Sequence, residues 1–269
     1  MSFHHPRFVM PPLTGLMQRL FGRARPAAGP RDSGVTPSTA AVPPGTRIYA
    51  VGDVHGRADL LARLFERIDT DRRSAADVDS IEILLGDYID RGPESREVID
   101  MIIERETANR VVCLRGNHED MLLKALATAA RMPQWMDNGG RETLLSYGVV
   151  PLSSKSQFQL HAELNDRLPE SHRDFLHRLR LSYECGDYFF VHAGIDPERP
   201  LDRQRAEDLL WIRGKFLAHA GPLEKIVVHG HTPQVRPTLG GYKINLDTGA
   251  YITGTLTCLV LEGDQRRLL

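Results

Sequence analysis

From Thr46 onward, short apolar runs alternate with apolar residues at helical spacing. Arg47-Ile48-Tyr49-Ala50-Val51 reads as a strand closed by Gly52-Asp53-Val54-His55-Gly56. Leu60, Leu61, Leu64, Phe65 and Ile68 then share one helical face. Ile81-Glu82-Ile83-Leu84-Leu85 is short, β-branched and bounded by turn residues, so it predicts a buried strand. It runs into Gly86-Asp87-Tyr88-Ile89-Asp90-Arg91-Gly92, and Pro93 suits the start of a helix carrying Val98, Ile99, Ile102 and Ile103. Val111 to Leu114 predicts a third strand, ended by Arg115-Gly116-Asn117-His118-Glu119 and followed by an apolar helix from Met121 to Ala130.

Between Arg131 and Arg180 the alternation lapses into helical patterns, broken at Asn138-Gly139-Gly140 and recurring over 157–165 and 170–179. This predicts a helical cap at about 131–180, inserted into a sheet scaffold where inserts tune specificity. Strands resume at 181–185 and 188–191, joined by a Gly186-Asp187 hairpin turn, and the second ends at His192-Ala193-Gly194. A helical stretch then holds Leu209, Leu210, Trp211, Phe216 and Leu217, with Arg213 inside it. Ile226-Val227-Val228 runs into His229-Gly230-His231-Thr232-Pro233, and the last strands are expected at 241–246 and 256–261 around an Asp247-Thr248-Gly249-Ala250 turn. The whole is an α/β pattern.

Residues 1–45 differ in kind. Pro, Gly, Ala, Ser and Thr dominate from Pro26 to Gly45, which predicts a flexible or disordered N-terminal tail ahead of one domain at 46–269. Within the tail Leu13, Leu16, Met17, Leu20 and Phe21 repeat at helical spacing beside Arg19, Arg23 and Arg25. A basic amphipathic helix on a membrane surface is one reading. Folding back on the domain, or staying loose, is the commoner fate of such a segment.

At 269 residues and 41% hydrophobic content the chain can bury a sizeable core. A formal net charge of −1 gives no sign of nucleic-acid binding. Cys113, Cys185 and Cys258 form no CxxC pair and lie in apolar strand-like runs, which suits buried thiols in a reducing compartment, hence the cytoplasm. No apolar run reaches the roughly 18 residues needed to span a bilayer.

Five predicted strands end in metal-binding side chains: Asp53 with His55, Asp87, Asn117 with His118, His192, and His231. A single histidine after a strand is more often a satisfied polar residue than a ligand. Five such endings at one sheet edge, where open α/β sheets collect their ligands, are a different matter. Carboxylate, amide and imidazole without thiolate suit Mn²⁺, Fe or Zn²⁺. Asp87 is placed to bridge two ions, and Arg91 to face an anion.

Asp53-x-His55, Gly86-Asp87-x-x-Asp90-Arg91-Gly92, Gly116-Asn117-His118-Glu119, His192-Ala193-Gly194 and Gly230-His231 together resemble the metallophosphoesterases. They are most similar to the phosphoprotein phosphatase branch, including bacterial and phage serine/threonine phosphatases. The resemblance runs from about Arg47 to the C-terminus and implies an α/β/β/α sandwich of two mixed sheets with a helical cap insertion. It implies one divalent ion, Mn²⁺ for preference, on Asp53, His55 and Asp87, and a second on Asp87, Asn117, His192 and His231. His118 is then the proton donor, oriented by Asp90, and Arg91, Arg115 and Arg213 hold phosphoryl oxygens. The implied reaction is in-line attack of a metal-bridging hydroxide on a phosphomonoester, most often phosphoserine or phosphothreonine in a protein. Relatives that hydrolyse diadenosine tetraphosphate share the fold but typically lack the second acid of the central motif, so Asp90 favours the phosphatase. Pro233 stands where many nucleases and phosphodiesterases of the superfamily carry a final histidine, and His229 falls behind the ligands rather than among them.

Overall fold

The computed structural model describes residues 39–74 and 78–269. One sheet has the order β3-β2-β1-β8-β9, formed by β1 (Thr46–Val51), β2 (Asp79–Leu84), β3 (Val111–Cys113), β8 (Cys258–Glu262) and β9 (Gln265–Leu268). The other has the order β4-β5-β6-β7, formed by β4 (Ser182–Cys185), β5 (Tyr188–Val191), β6 (Ile226–His229) and β7 (Lys243–Asn245). Both sheets are mixed. β1 to β3 run parallel while β8 and β9 join antiparallel; β5 to β7 run parallel while β4 pairs antiparallel to β5.

Side-chain alternation along the strands divides the core into three. Ile48, Ala50, Ile81 and Ile83 point from the first sheet towards Tyr188, Phe190, Val228 and Ile244 of the second, and fill the space between them. Tyr49, Val51 and Leu84 face the other way, onto helices α1 (Ala58–Arg73), α2 (Ser95–Ala108) and α3 (Asn117–Ala127). Phe189, Val191 and Val227 pack outward against Leu209 and Phe216. The order of layers is therefore α/β/β/α. Strands covered on both faces read as apolar runs, which is why the pattern was legible.

The expected cap consists of α4 (Met132–Trp135), a π-type turn (Met136–Gly140), α5 (Arg141–Ser146), α6 (Gln157–Arg167) and α7 (Glu170–Arg178). Trp135, Leu144, Leu160, Leu164, Phe175 and Leu176 are buried in the same cluster as α1 to α3. The insertion thus extends the helical layer over the first sheet. Arg180 rejoins that sheet beside Leu114 as a parallel bridge.

Three local expectations change. The stretch around Arg213 is two short helices, α8 (Ala206–Trp211) and α9 (Gly214–Ala218), with Arg213 at the break (φ −135°, ψ −91°). After the Asp247 turn comes α10 (Ala250–Thr253), and the polar strand β9 lay outside the apolar pattern. The end of the expected tail is also anchored: Ala40 and Val42 are buried among the inter-sheet side chains, and the Val42 amide donates to Gly263 O at 3.0 Å. The helical pattern from Leu13 to Phe21 lies outside the described residues. Among those described, no helix is long and apolar enough to cross a membrane.

A chain beginning at Thr46 gives up the burial of Ala40 and Val42. Its stability should fall by roughly 2–4 kcal/mol, read as a lower urea midpoint than that of the full chain. Equal midpoints would show that this segment contributes nothing to the domain.

Candidate metal centre

β1, β2, β3, β5 and β6 all end at one edge, where the two sheets meet. Asp53, His55, Asp87, Asn117, His118, His192 and His231 follow those ends, and none is more than 4% exposed. The Asp87 carboxylate lies at their centre. Its Oδ2 is 3.5 Å from His55 Nε2, and its Oδ1 is 3.4 Å from His192 Nε2. Asn117 Oδ1 lies 2.9 Å from His192 Nε2 and 2.8 Å from His231 Nδ1. Asp53 accepts the His231 amide at 3.0 Å through Oδ2.

Two overlapping groups could hold a cation: His55, Asp87 and His118, and Asp87, His192 and His231. The donor atoms fit that use. His55 Nδ1 is tied to Ile89 O at 2.8 Å and His192 Nδ1 to Leu85 O at 3.0 Å, so in both rings Nε2 is the nitrogen left facing Asp87. The two Asp87 oxygens face different imidazoles, His55 at Oδ2 and His192 at Oδ1. His118 is committed differently: Nδ1 lies 2.7 Å from Asp90 Oδ2, and Nε2 lies 3.1 Å from the Arg91 guanidinium. A cation is poorly served by a nitrogen that already faces Arg91.

The backbone at this edge is strained in a regular way. The non-glycine residues with positive φ among those described are His55 (47°), Asp87 (51°), Asp90 (71°), Arg91 (69°) and His231 (65°). All belong to the site, and such conformers persist only when their surroundings over-determine them. Glu119 supplies much of that constraint. Its buried carboxylate accepts the amides of Asp87 at 2.9 Å, Tyr88 at 2.8 Å and Gly116 at 2.9 Å. One side chain thereby lashes the β2 loop to the start of α3.

Of the three arginines, two reach the cluster. Arg91 also donates to Tyr251 Oη at 3.1 Å, and Arg213 donates to His231 Nε2 at 3.0 Å from the break between α8 and α9. Arg115 is turned to the helical insertion, where it donates to His177 O at 3.5 Å.

The calcineurin-like phosphoesterase family profile matches residues 46–254, a span that takes in the whole cluster. The chain belongs to this family. It is 24% identical over 233 residues to the asymmetrical bis(5'-nucleosyl)-tetraphosphatase PrpE of Bacillus velezensis, covering 77% of this chain and 86% of the relative. It is 27% identical over 216 residues to serine/threonine-protein phosphatase 1 of Salmonella typhimurium, covering 78% and 89%. The fold is similar to that of the cold-active protein-tyrosine phosphatase of a Shewanella species, with a TM-score of 0.52, 19% identity and coverage of 85% and 83%. Calcineurin-like phosphoesterases use a dinuclear metal site, so this chain is a metal-dependent phosphoesterase whose histidines and aspartates provide groups that could bind the metals.

Charge in this phosphoesterase is concentrated where water is absent. Burial pushes the Asp53 carboxyl well up, and Asp247 and Asp87 add to the rise. Burial works the same way on Asp87, but the surrounding histidines, His192 first, outweigh it and hold that carboxyl far below the usual range. Burial depresses His192 and His55, and brings His231 down to about 2, although Asp87 pulls each of the three up. His118 is also depressed by burial, yet Asp87 and Asp90 more than reverse this and raise it. It is the one ring of the four shifted towards the protonated form.

Several contributors escaped the sequence reading. Glu119 was visible in Gly-Asn-His-Glu but had no assigned task. Asp247, buried and pushed up to about 6 by burial and by Asp87, had appeared only as a turn residue. Trp135 and Thr143, which hold Asp90, lie in the insertion with no motif to mark them. Glu119→Gln keeps one accepting oxygen but turns an NH2 group, which cannot accept, towards the backbone N–H donors on the other side. We expect it to destabilise the metal-free protein by about 2–4 kcal/mol in thermal or urea unfolding. An unchanged midpoint would show that Glu119 does not tie these loops together.

Proposed function

We propose that this chain hydrolyses phosphomonoesters of poor leaving groups, above all phosphoserine and phosphothreonine in proteins. Asp53, His55 and Asp87 would hold one divalent cation, and Asp87, Asn117, His192 and His231 the other. The oxygen and nitrogen donors suit Mn²⁺, with Fe or Zn²⁺ as alternatives. When bound, such a pair supplies Lewis-acid stabilisation and a water whose pKa is lowered towards about 7.

The observation that carries the reading is the buried His118–Asp90 pair, Nδ1 to Oδ2 at 2.7 Å. Asp90 fixes the ring through Nδ1 and favours its protonated form. Nε2, which accepts from the Arg91 guanidinium at 3.1 Å, takes up the proton to be donated when Arg91 turns to the phosphoryl oxygens. A serine or threonine alkoxide leaves badly, and a positioned acid contributes roughly 10²–10⁴ in rate for such a group. Arg91 and Arg213 stabilise charge on the phosphoryl oxygens as it shifts in the transition state. Arg115, from its place against the insertion, is the third candidate for that role. The three thiols, all free, support a reducing compartment, which favours the cytoplasm.

The similarity to the PrpE tetraphosphatases of Bacillus velezensis and Oceanobacillus iheyensis favours a second reading, asymmetrical cleavage of a dinucleoside tetraphosphate. There the departing group is a nucleotide, which needs far less help from a proton donor. Side-by-side turnover of a phosphothreonine peptide and diadenosine tetraphosphate with Mn²⁺ separates the two.

His118→Ala should lower kcat on a phosphoserine peptide by about 10²–10⁴ but affect 4-nitrophenyl phosphate far less. Equal losses on both substrates would refute the assignment of His118 as the acid. Asp87→Ala should leave the protein without either cation by elemental analysis. Two ions retained in that variant would remove Asp87 as the bridge.

A further inference from the structure

The helical insertion reaches the proposed proton donor through Asp90. That carboxylate is fully buried, and each of its oxygens is occupied. Oδ2 faces His118 Nδ1 at 2.7 Å and accepts from Trp135 Nε1 at 2.9 Å. Oδ1 accepts from Thr143 Oγ1 at 2.6 Å and shares the same indole N–H at 3.1 Å. Trp135 and Thr143 come from α4 and α5, far along the chain from β2.

The hydroxyls allow one consistent arrangement. Thr143 Oγ1 has a single proton, and the anionic Asp90 oxygen accepts it. Its lone pairs are then free for the Asp90 amide at 3.0 Å and the Ser95 hydroxyl at 2.9 Å. Trp135 is equally constrained. It is fully buried, and a Cβ on Gly140 would fall 2.4 Å from its ring, so the π-type turn closes tightly on the indole face. In that turn the Gly139 carbonyl accepts the Arg91 amide at 3.1 Å. The insertion therefore grips two of the left-handed residues of the central motif, Asp90 by its side chain and Arg91 by its backbone.

We propose that Trp135 and Thr143 are positioning residues for proton donation. They fix the Asp90 carboxylate, and through it the His118 ring, so that Nε2 points at the departing oxygen. The inference rests on His118 being the general acid, and it gives the insertion a part in the chemistry of the leaving group. Neither residue is a member of either candidate cation group, and both act through Asp90. A hydrogen bond from a neutral donor to a buried carboxylate is worth enough for its loss to slow an acid-dependent step about tenfold.

The test compares Thr143→Val, Thr143→Ser and Trp135→Phe with the full-length chain, each loaded with Mn²⁺ and checked for cation content and melting temperature. Phenyl phosphate serves as the ester with a poor leaving group and 4-nitrophenyl phosphate as the one with a good leaving group. Thr143→Val and Trp135→Phe should each lower kcat on phenyl phosphate about tenfold and on 4-nitrophenyl phosphate less than about twofold, with KM and cation content unchanged. Thr143→Ser, which keeps the hydroxyl, should restore most of the loss. In a His118→Ala background, Thr143→Val should cost nothing further on phenyl phosphate. Equal losses on both esters, failure of the serine variant to rescue, or a full additive loss in the double variant would overturn the proposal. If His118→Ala itself does not discriminate between the esters, the general-acid reading fails; if it does while the other variants do not, only the positioning role fails.

Discussion

The Asp87 carboxylate, sealed from water among four histidines, is the feature on which the rest of the structure depends. A buried carboxylate is costly unless it is paired, and the pairing here comes from side chains delivered by both sheets. His55 faces one oxygen and His192 the other, while the His118 amide donates to Oδ1 at 3.1 Å. Asp53 and Asp247 are buried nearby, and their crowding with Asp87 adds to the rise that burial imposes on both carboxyls. Neutral imidazoles and crowded carboxylates are what a hard divalent ion, or two, would relieve.

That pocket exists because the connecting loops touch backbone to backbone. A Cβ on Gly92 would lie 2.2 Å from His55 O, and one on Gly116 would lie 2.4 Å from Asp87 N. Approaches this close leave room only for glycine, and the left-handed residues at the same loops cost of order 1–3 kcal/mol each. The buried Glu119 carboxylate and the insertion hold those conformations in place. A rigid cradle of this kind suits catalysis by preorganised charge, since little needs to reorganise when the phosphoryl group reacts. It also means that the helical insertion is bound into the site through Asp90 and Arg91, beyond serving as cover for the first sheet.

Much of this was legible before any coordinates. Doubly covered strands are apolar runs, and each ends in Gly, Asp, Asn or His, so strand ends and candidate ligands could be read together. The assignment of ligands to one ion or the other came from family resemblance and not from the pattern. What escaped had physical reasons. Trp135 and Thr143 meet Asp90 across 45 and 53 residues, and such a contact leaves no local periodicity. Ile212 continues the apolar spacing of its neighbours and so hides the helix break that frees Arg213. Two small apolar residues, Ala40 and Val42, were masked by the Pro- and Gly-rich composition around them. β9 is polar because it is an edge strand largely exposed to solvent.

The central claim concerns two cations sharing one buried carboxylate. Anomalous diffraction from crystals grown with Mn²⁺ tests it most directly. The account predicts two peaks roughly 3.5–4 Å apart, one on each side of the Asp87 carboxylate, with His55 against one and His192 against the other. A single peak at full Mn²⁺ occupancy, or a pair that does not share Asp87, would contradict it.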